Sequence, residues 1–385
     1  MYPTISDLIY DFTGIFIPLP IQTFGFCVVL SLLLAAYFTS KELKRKEDEG
    51  LLKVLVKKVT KGKPASTIDL LSSFIIGFLL GFKGIDALLN YSLFVDNPQE
   101  FILSTRGSIL GGIGGGAILC YLKYREKEKE KLSKPIEETI TFHPYELIGN
   151  IAIIAAVGGF LGAKIFHNLE NIDELLADPL YALISFSGLT FYGGLIIGAI
   201  AVLYYAKKNS INPLHMVDAA APALMLAYGV GRIGCQLSGD GDWGIVNAMP
   251  KPEWLFFLPD WTWAFDYPHN VISEGIRIAG CEGRHCFVLE NTVFPTPLYE
   301  SVLGILLFFV LWNLRKKIKV HGVLFSVYLI LNGMERFFIE KIRVNSVYKI
   351  FEKEITQAEI ISVVLIILGI FGIIFLKKNK NRIAI

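Results

Sequence analysis

Toward the C-terminal end of this 385-residue chain, the run NGMERFFIEKIRVN (332–345) sets Glu335, Arg336, Glu340 and Arg343 among apolar residues. Arg336 and Glu340 are four apart, so on a helix they leave the same face, with Arg343 within a turn. Phe337, Phe338 and Ile339 cover the rest of the arc. A charge inside an apolar span is expensive and by default marks a functional site. Three other stretches carry the same anomaly. YGVGRIGCQLSGDGDWG (228–244) holds Arg232 and, beyond it, Asp240 and Asp242. PTPLYES (295–301) opens an apolar run. SFSGLTFYGGLIIGA (185–199) places Ser187, Thr190, Tyr192 and the pair Gly193–Gly194 where lipid asks for none of them. Arginine grips planar or tetrahedral anions bidentately, so two or three arginines with a carboxylate at one depth suit the headgroup of an anionic lipid.

Each stretch also has a purely structural explanation. The glycine pair can pack two helices, Arg336–Glu340 can be an intrahelical ion pair, Arg232 can snorkel to the headgroups, and Ser-Gly-Asp-Gly can be a turn. What ties the four together is side, and side depends on the spans. Hydrophobic residues make up 53% of the chain and mean hydropathy is +0.51. Apolar runs of membrane-crossing length recur. The expected fold class is an all-α polytopic membrane protein of about nine transmembrane helices: 21–39, 66–86, 104–123, 145–167, 181–206, 214–235, 297–314, 321–342 and 359–377. The first twenty residues lack a basic segment, so no cleavable leader is expected.

With nine spans, five Lys/Arg-rich connections, from KELKRKEDEG to the tail KKNKNR, fall on one side. The positive-inside rule puts them in the cytoplasm, the N-terminus outside and the C-terminus inside. All four anomalous stretches then lie toward the outer leaflet. Segment 236–296 becomes an extracytoplasmic loop or cap. It holds four of the five tryptophans, Trp243, Trp254, Trp261 and Trp263, which suits a headgroup-level position. Its Cys281 and Cys286 fit a small-loop disulfide in an oxidising compartment, or less well a metal pair with His285. The net charge of +2 says nothing for nucleic acid.

Displaced by 81 residues, the chain matches itself: Gly77 on Gly158, Gly81 on Gly162, Lys83 on Lys164, Asn90 on Asn171, Pro98 on Pro179, Gly107 on Gly188 and Gly112 on Gly193. The pair 66–123 therefore reads as an inserted, parallel duplication of 145–206 within a single membrane domain of 1–385. In this register Gly111 stands where the second copy has Tyr192, and Ile109 where it has Thr190. Only the second copy keeps the polar groups.

GRIG with its following Gly–acid–Trp–Gly stretch, the Ser-Gly-x-x-Phe-x-Gly-Gly span, WAFDYP, PTPLYES and ERFFIE, in that family's order, resemble prolipoprotein diacylglyceryl transferase. IQTFGFCVVLSLLLA is similar to its first span. The resemblance implies a transferase of the bacterial inner membrane that moves the diacylglyceryl group of phosphatidylglycerol onto the lipobox cysteine of a prolipoprotein. A thioether forms, glycerol phosphate leaves, and no metal or cofactor is required. It implies Arg232 on the lipid phosphate, Arg336 and Glu340 at the reacting end, and Gly193, Gly194, Gly231, Cys235 and Gly244 about the substrate. Tyr192 and Asp240 complete the expected catalytic set.

This chain departs from the family at several points. Tyr192 stands where most members have histidine, Cys235 replaces an asparagine, Phe24 replaces a tyrosine, and the acid before Trp-Gly becomes Asp240 with an added Gly241–Asp242. A tyrosine with a reference pKa near 10 is a poor base at neutral pH, which leaves Glu340, Asp240 and Asp242 as alternatives. A non-catalytic lipid- or lipoprotein-binding relative, and less readily a transporter, are the competing functions. Against a transporter, the charges gather at one leaflet and not at the midplane.

Overall fold

The structure is a computed structural model that describes residues 1–179, 182, 190–344, 347–350 and 353–379. Its elements are overwhelmingly helical, with no closed sheet among the described residues. Six helices are long and apolar enough to cross a membrane: α2 (Thr23–Asp48), α3 (Thr67–Leu89), α7 (Ile148–Glu170, with a 3-10 turn before it), α10 (Pro213–Ser238), α11 (Thr296–Leu314) and α13 (Gln357–Lys378). The chain is a multi-pass, all-α membrane protein. Helices also occupy the other three expected spans. α6 (Ile109–Glu130) ends in a charged run, α9 (Phe191–Lys208) is short and ends in two lysines, and α12 (Val323–Glu340) carries Glu335, Arg336 and Glu340. Ser187 and Gly188 lie outside the described residues.

The chain forms two compact units. The larger comprises Met1–Phe16, Gln22–Lys53 and the part from His143 onward. In it α10 is the central helix, the most buried of the six, and packs on α2, α11 and α12. Ala221, Met225, Leu226 and Val230 of α10 interlock with Phe308 and Leu311 of α11 and Leu324 of α12. Between helices already in lipid, close fit and not the hydrophobic effect supplies the attraction. Glycine is what permits the fit: a Cβ on Gly229 would come within 3.0 Å of the α11 backbone, and one on Gly234 within 2.8 Å of Cys27.

Within that unit α7 packs on α9, and a Cβ on Gly162 would meet Gly193 O at 2.3 Å. The smaller unit, Ile17–Ile21 with Val54–Phe142, shows the same arrangement: α3 packs on α6, and a Cβ on Gly81 would meet Gly111 O at 2.1 Å. Asn90 closes α3 onto Asp86 O as Asn171 closes α7 onto His167 O. Short helices of six residues follow each, α4 (Tyr91–Asp96) and α8 (Ile172–Ala177). These first-helix counterparts are 81 apart. The second helices are offset by 82: Ser108 N donates to Phe82 O as Thr190 N donates to Ala163 O, and Gly111 sits as Gly193 does. By contact, then, Tyr192 matches Leu110 and not Gly111, the connection between the paired helices being one residue longer in the larger unit. The smaller unit also holds α5 (Pro98–Leu103) and an antiparallel ribbon, β1 (Leu55–Lys61) with β2 (Ile136–Phe142), which the charge-based reading of these connections missed. At the N-terminus, α1 (Ile5–Thr13) starts from a Thr4–Asp7 capping box.

α10 ends at Gly239, whose positive φ of 64° turns the chain into the loop that runs to α11. The loop has its own core of Trp243, Tyr267, Leu289 and Val293, two short strands, β3 (Ile276–Arg277) and β4 (Phe287–Val288), and a Cys281–Cys286 disulfide. Trp254 and Trp261 are exposed, whereas Trp243 is buried against Tyr267 and is a packing residue of the loop. A second ribbon, β5 (Val347–Ile350) with β6 (Lys353–Thr356), leads into α13.

Candidate active site

α10, α11 and α12 alternate in direction, so the C-terminal end of α10, the start of α11 and the C-terminal end of α12 share one end of the bundle. That end gathers the charges. Glu300, in the first turns of α11, is fully buried. Arg232 Nε from α10 lies 2.5 Å from its Oε2, a charge contact without hydrogen-bond alignment. Arg336 Nη1 of α12 donates to its Oε1 at 2.9 Å, and Arg343 Nη1 from just beyond α12 does so at 3.1 Å. One carboxylate therefore aims three guanidiniums.

Two further carboxylates complete the network. Arg336 Nη2 is 3.2 Å from Glu340 Oε2. Asp242, on the loop after α10, bridges Arg232 and Arg343, one oxygen to each. Three arginines and three carboxylates are thus joined in one ion-pair network, and such pairing is what allows charges to be buried. Asp242 has the most exposed side chain of the three acids, at 33% against 0% for Glu300 and Glu340. It is the anion easiest to displace.

The loop is fixed where it delivers Asp242. Thr296 Oγ1 donates to Asp242 O at 2.9 Å, and Gly244 N donates to Phe294 O at 2.8 Å. Ile245 N donates to Ile342 O at 2.9 Å, pairing the loop with the segment that carries Arg343. A Cβ on Gly244 would come within 2.4 Å of Ile342 O, so glycine is required there. Gly244 thereby sets the approach of Asp242 to the arginines.

Tyr192 is half-buried near the start of α9, and the charges of Arg336 and Glu340 both act on its hydroxyl. Gly193 and Gly194 are engaged with α7: Cβ atoms there would meet Gly162 O at 2.4 Å and Gly159 O at 2.9 Å. The close approach they permit is that of a neighbouring helix. Thr190 Oγ1 donates to Glu170 Oε2 at 2.8 Å. At Gly231, by contrast, a Cβ would meet nothing within 4 Å, so no neighbouring helix requires glycine there. Cys235 is buried, and Arg232 Nη1 lies 3.7 Å from its Sγ. Tyr228 Oη donates to Glu335 Oε1 at 3.3 Å, and its ring lies under the Arg232 guanidinium at 5.4 Å.

Asp240 differs from the other acids, since none of the described contacts pairs it with an arginine. Burial raises its carboxyl above the ordinary aspartate range. Ligand atoms of Cys235, Asp240 and Asp242 lie within 4.8 Å of one another. Asp242 is already neutralised by two guanidiniums, so the group is not set up for a cation. Of this network, Glu300 is the residue that sequence reasoning misses, whereas Arg343 belongs to the charged run it picks out. Glu300 stands inside PTPLYES and Arg343 inside NGMERFFIEKIRVN, and an acid at the start of a span was the available signal.

A helical membrane bundle that gathers three arginines at one end, with the most exposed of their carboxylates lying across two of them, belongs to the class of membrane proteins with an anion-holding end. The relatives agree with that class. A family model described as prolipoprotein diacylglyceryl transferase matches residues 129–375. A phosphatidylglycerol–prolipoprotein diacylglyceryl transferase of Streptococcus uberis is 29% identical over 276 residues, which cover 69% of this chain and 89% of its own length. Enzymes of the same name from Clostridium tetani and Clostridioides difficile are 32% and 31% identical over 225 and 238 residues, covering 58% and 61% of this chain and 78% and 81% of their own lengths. The chain belongs to the prolipoprotein diacylglyceryl transferase family, and is a membrane transferase of lipoprotein biosynthesis.

Proposed function

We propose that this chain transfers the diacylglyceryl group of phosphatidylglycerol to the lipobox cysteine thiol of a prolipoprotein signal peptide, at the outer leaflet of a bacterial inner membrane. The observation that supports the reading is the convergence of Arg232, Arg336 and Arg343 on Glu300, with Asp242 lying across two of them. Asp242 holds the seat of an anion, and the lipid phosphate, with the same charge and paired oxygens, takes that seat from it. The nine spans, the outward N-terminus and the outer-leaflet position of this end follow the distribution of Lys and Arg. In the same reading 66–123 is an inserted copy of 145–206, supported by the matching Gly–Gly contacts of the two helix pairs, and 236–296 is the extracytoplasmic cap.

The thiol sulfur attacks the glyceryl carbon that bears the phosphate. The carbon–sulfur bond forms, the carbon–oxygen bond breaks, and its electron pair leaves with glycerol phosphate. Arg232 and Arg343 hold the charge that grows on that phosphate, where fixed donors act most strongly. The thiol proton goes to Asp240. Glu340 and Asp242 are both engaged by arginines, whereas burial raises Asp240 above the ordinary aspartate range and makes it the better proton acceptor. Tyr192, beside Arg336 and Glu340, donates a hydrogen bond to a substrate oxygen. A Cβ at Gly231 would meet nothing within 4 Å, and in this reading that open surface takes the lipid; no step of the reaction draws on a cofactor.

Complementation tests the proposal. In a bacterium depleted of its own diacylglyceryl transferase, the wild-type chain restores lipid attachment to a reporter lipoprotein and Arg232→Ala does not. A well-expressed wild-type chain that attaches no lipid overturns the assignment.

A further inference from the structure

A second charged cluster lies at the opposite end of the same helices. On α10, Asp218 and Arg232 are fourteen residues apart, about 21 Å of helix. A cavity of about 250 Å³ opens there between the C-terminal end of α2, the start of α10 and the α11–α12 connection. Its lining includes Arg45, Lys46, Arg315, Lys316 and Lys319, five cations, against the carboxylates of Glu49 and Asp218. Nothing in the reaction described above uses these groups.

The partners of each charge show what is left over. Arg45 donates to Glu42 at 2.5 and 2.9 Å and to Glu49 at 2.6 Å. Arg315 donates to Glu42 at 3.0 Å and stacks on Trp312, its guanidinium 3.5 Å from the ring centre. Asp218 is occupied as well: its two oxygens accept from Gly322 N at 2.7 Å and Phe325 N at 2.9 Å, which fixes the start of α12. Lys46 is different. It is 5% exposed, and its ammonium shares one long hydrogen bond, 3.5 Å, with His215 Nδ1. An ammonium has three donors; this one makes a single long hydrogen bond, and the nearby charges of Asp218 and Glu42 act on it without an ion-pair contact among the described residues, so donor capacity is left over. Lys316 and Lys319 stand at the exposed rim, with no ion pair among the described contacts.

We propose that this cavity binds a phosphate-bearing anion, with Lys46 at its floor and Lys316 and Lys319 at its rim. The anion is the headgroup of a phospholipid in the leaflet at this end, or free phosphate. Basic pockets between membrane helices take phosphate headgroups in this manner. Occupancy ties α2 to α10 and to the α11–α12 connection, the helices whose far ends carry Arg232, Glu300 and Arg336.

The test is the thermal stability of the full-length chain. One arm adds inorganic phosphate in neutral detergent, at ionic strength matched with chloride. The other compares phosphatidylcholine nanodiscs with and without phosphatidic acid, which has no glycerol headgroup and is not the donor of the transfer reaction. The melting midpoint rises by about 2 °C or more in at least one arm. Lys316→Gln/Lys319→Gln, at exposed positions, removes the rise, and Arg232→Gln retains it. A response to phosphate identifies free anion as a ligand, and a response to phosphatidic acid alone identifies the headgroup. No rise in either arm, or a rise lost in Arg232→Gln and kept in the double variant, overturns the proposal.

Discussion

Glu300→Gln is the substitution on which the candidate active site turns. Glutamine keeps the volume of the side chain but removes the one charge shared by Arg232, Arg336 and Arg343 at 2.5, 2.9 and 3.1 Å. Three guanidiniums are then left with Glu340 and Asp242 as their ion-pair partners, in a site where Glu300 has no exposed surface. Removing one partner of a buried ion pair costs about 3–5 kcal/mol. The rate suffers separately. If the phosphate loses the equivalent of one aligned donor, transfer slows about 10²- to 10³-fold. The assay pairs thermal melting of the full chain in nanodiscs with transfer to a lipobox peptide, measured well below the variant's midpoint. A Glu300→Gln protein that melts within about 1 kcal/mol of wild type and transfers at the wild-type rate would falsify the idea that this carboxylate aims the arginines.

Asp242→Asn removes the anion that competes for Arg232 and Arg343, so a non-reactive phosphatidylglycerol analogue binds about tenfold tighter, near 1.4 kcal/mol; weaker binding shows that Asp242 is not a placeholder. Asp240→Asn lowers kcat and leaves the lipid KM unchanged. Because burial raises this carboxyl, the acid limb of the wild-type rate profile lies above the ordinary aspartate range, and an unchanged limb in the variant rules Asp240 out as the base. His143 Nδ1 sits 2.5 Å from Glu47 Oε1, and that hydrogen bond raises the imidazole pKa. The folded state therefore holds the proton more tightly than the unfolded one. The contribution is full below the unfolded value near 6.5 and is lost as pH rises through the raised folded value. His143→Asn flattens the melting-versus-pH curve from about pH 6.5 upward, and an unaltered slope contradicts the assignment. Gly193→Ala, with its Cβ at 2.4 Å from Gly162 O, forces α7 and α9 apart and lowers stability by about 1–3 kcal/mol; an unchanged melting curve shows that the pair is not packed this way.

The sequence made the charged stretches legible because lipid-facing helices have no ordinary use for arginine. Arg232, Arg336 and Glu340 stood out for that reason, and the structure brings all three to one end with Tyr192 near them. Glu300 was harder to see. Its partners come from α10, α12 and the segment after α12, and no local spacing records such contacts. Asp240 and Asp242 looked interchangeable in GDGDW, yet one turn of the loop directs Asp242 to the arginines and leaves Asp240 apart from them. Gly193–Gly194 could mean a ligand or a helix, and only the position of α7 decides what faces them. The offset of 81 was readable from Lys83, Asn90 and their counterparts, but the one-residue difference before the second helix was not, because glycine-rich helices match in more than one register. The ribbon of β1 and β2 was hidden in segments read for their charge alone.

The most direct test of the central claim is the mass of a lipobox peptide after incubation with the purified chain in phosphatidylglycerol liposomes. The account predicts a gain of one diacylglyceryl group on the cysteine, release of one glycerol phosphate per peptide modified, and neither with Arg232→Ala. A folded wild-type protein that leaves the peptide mass unchanged, or one that modifies the peptide equally well without Arg232, would contradict it.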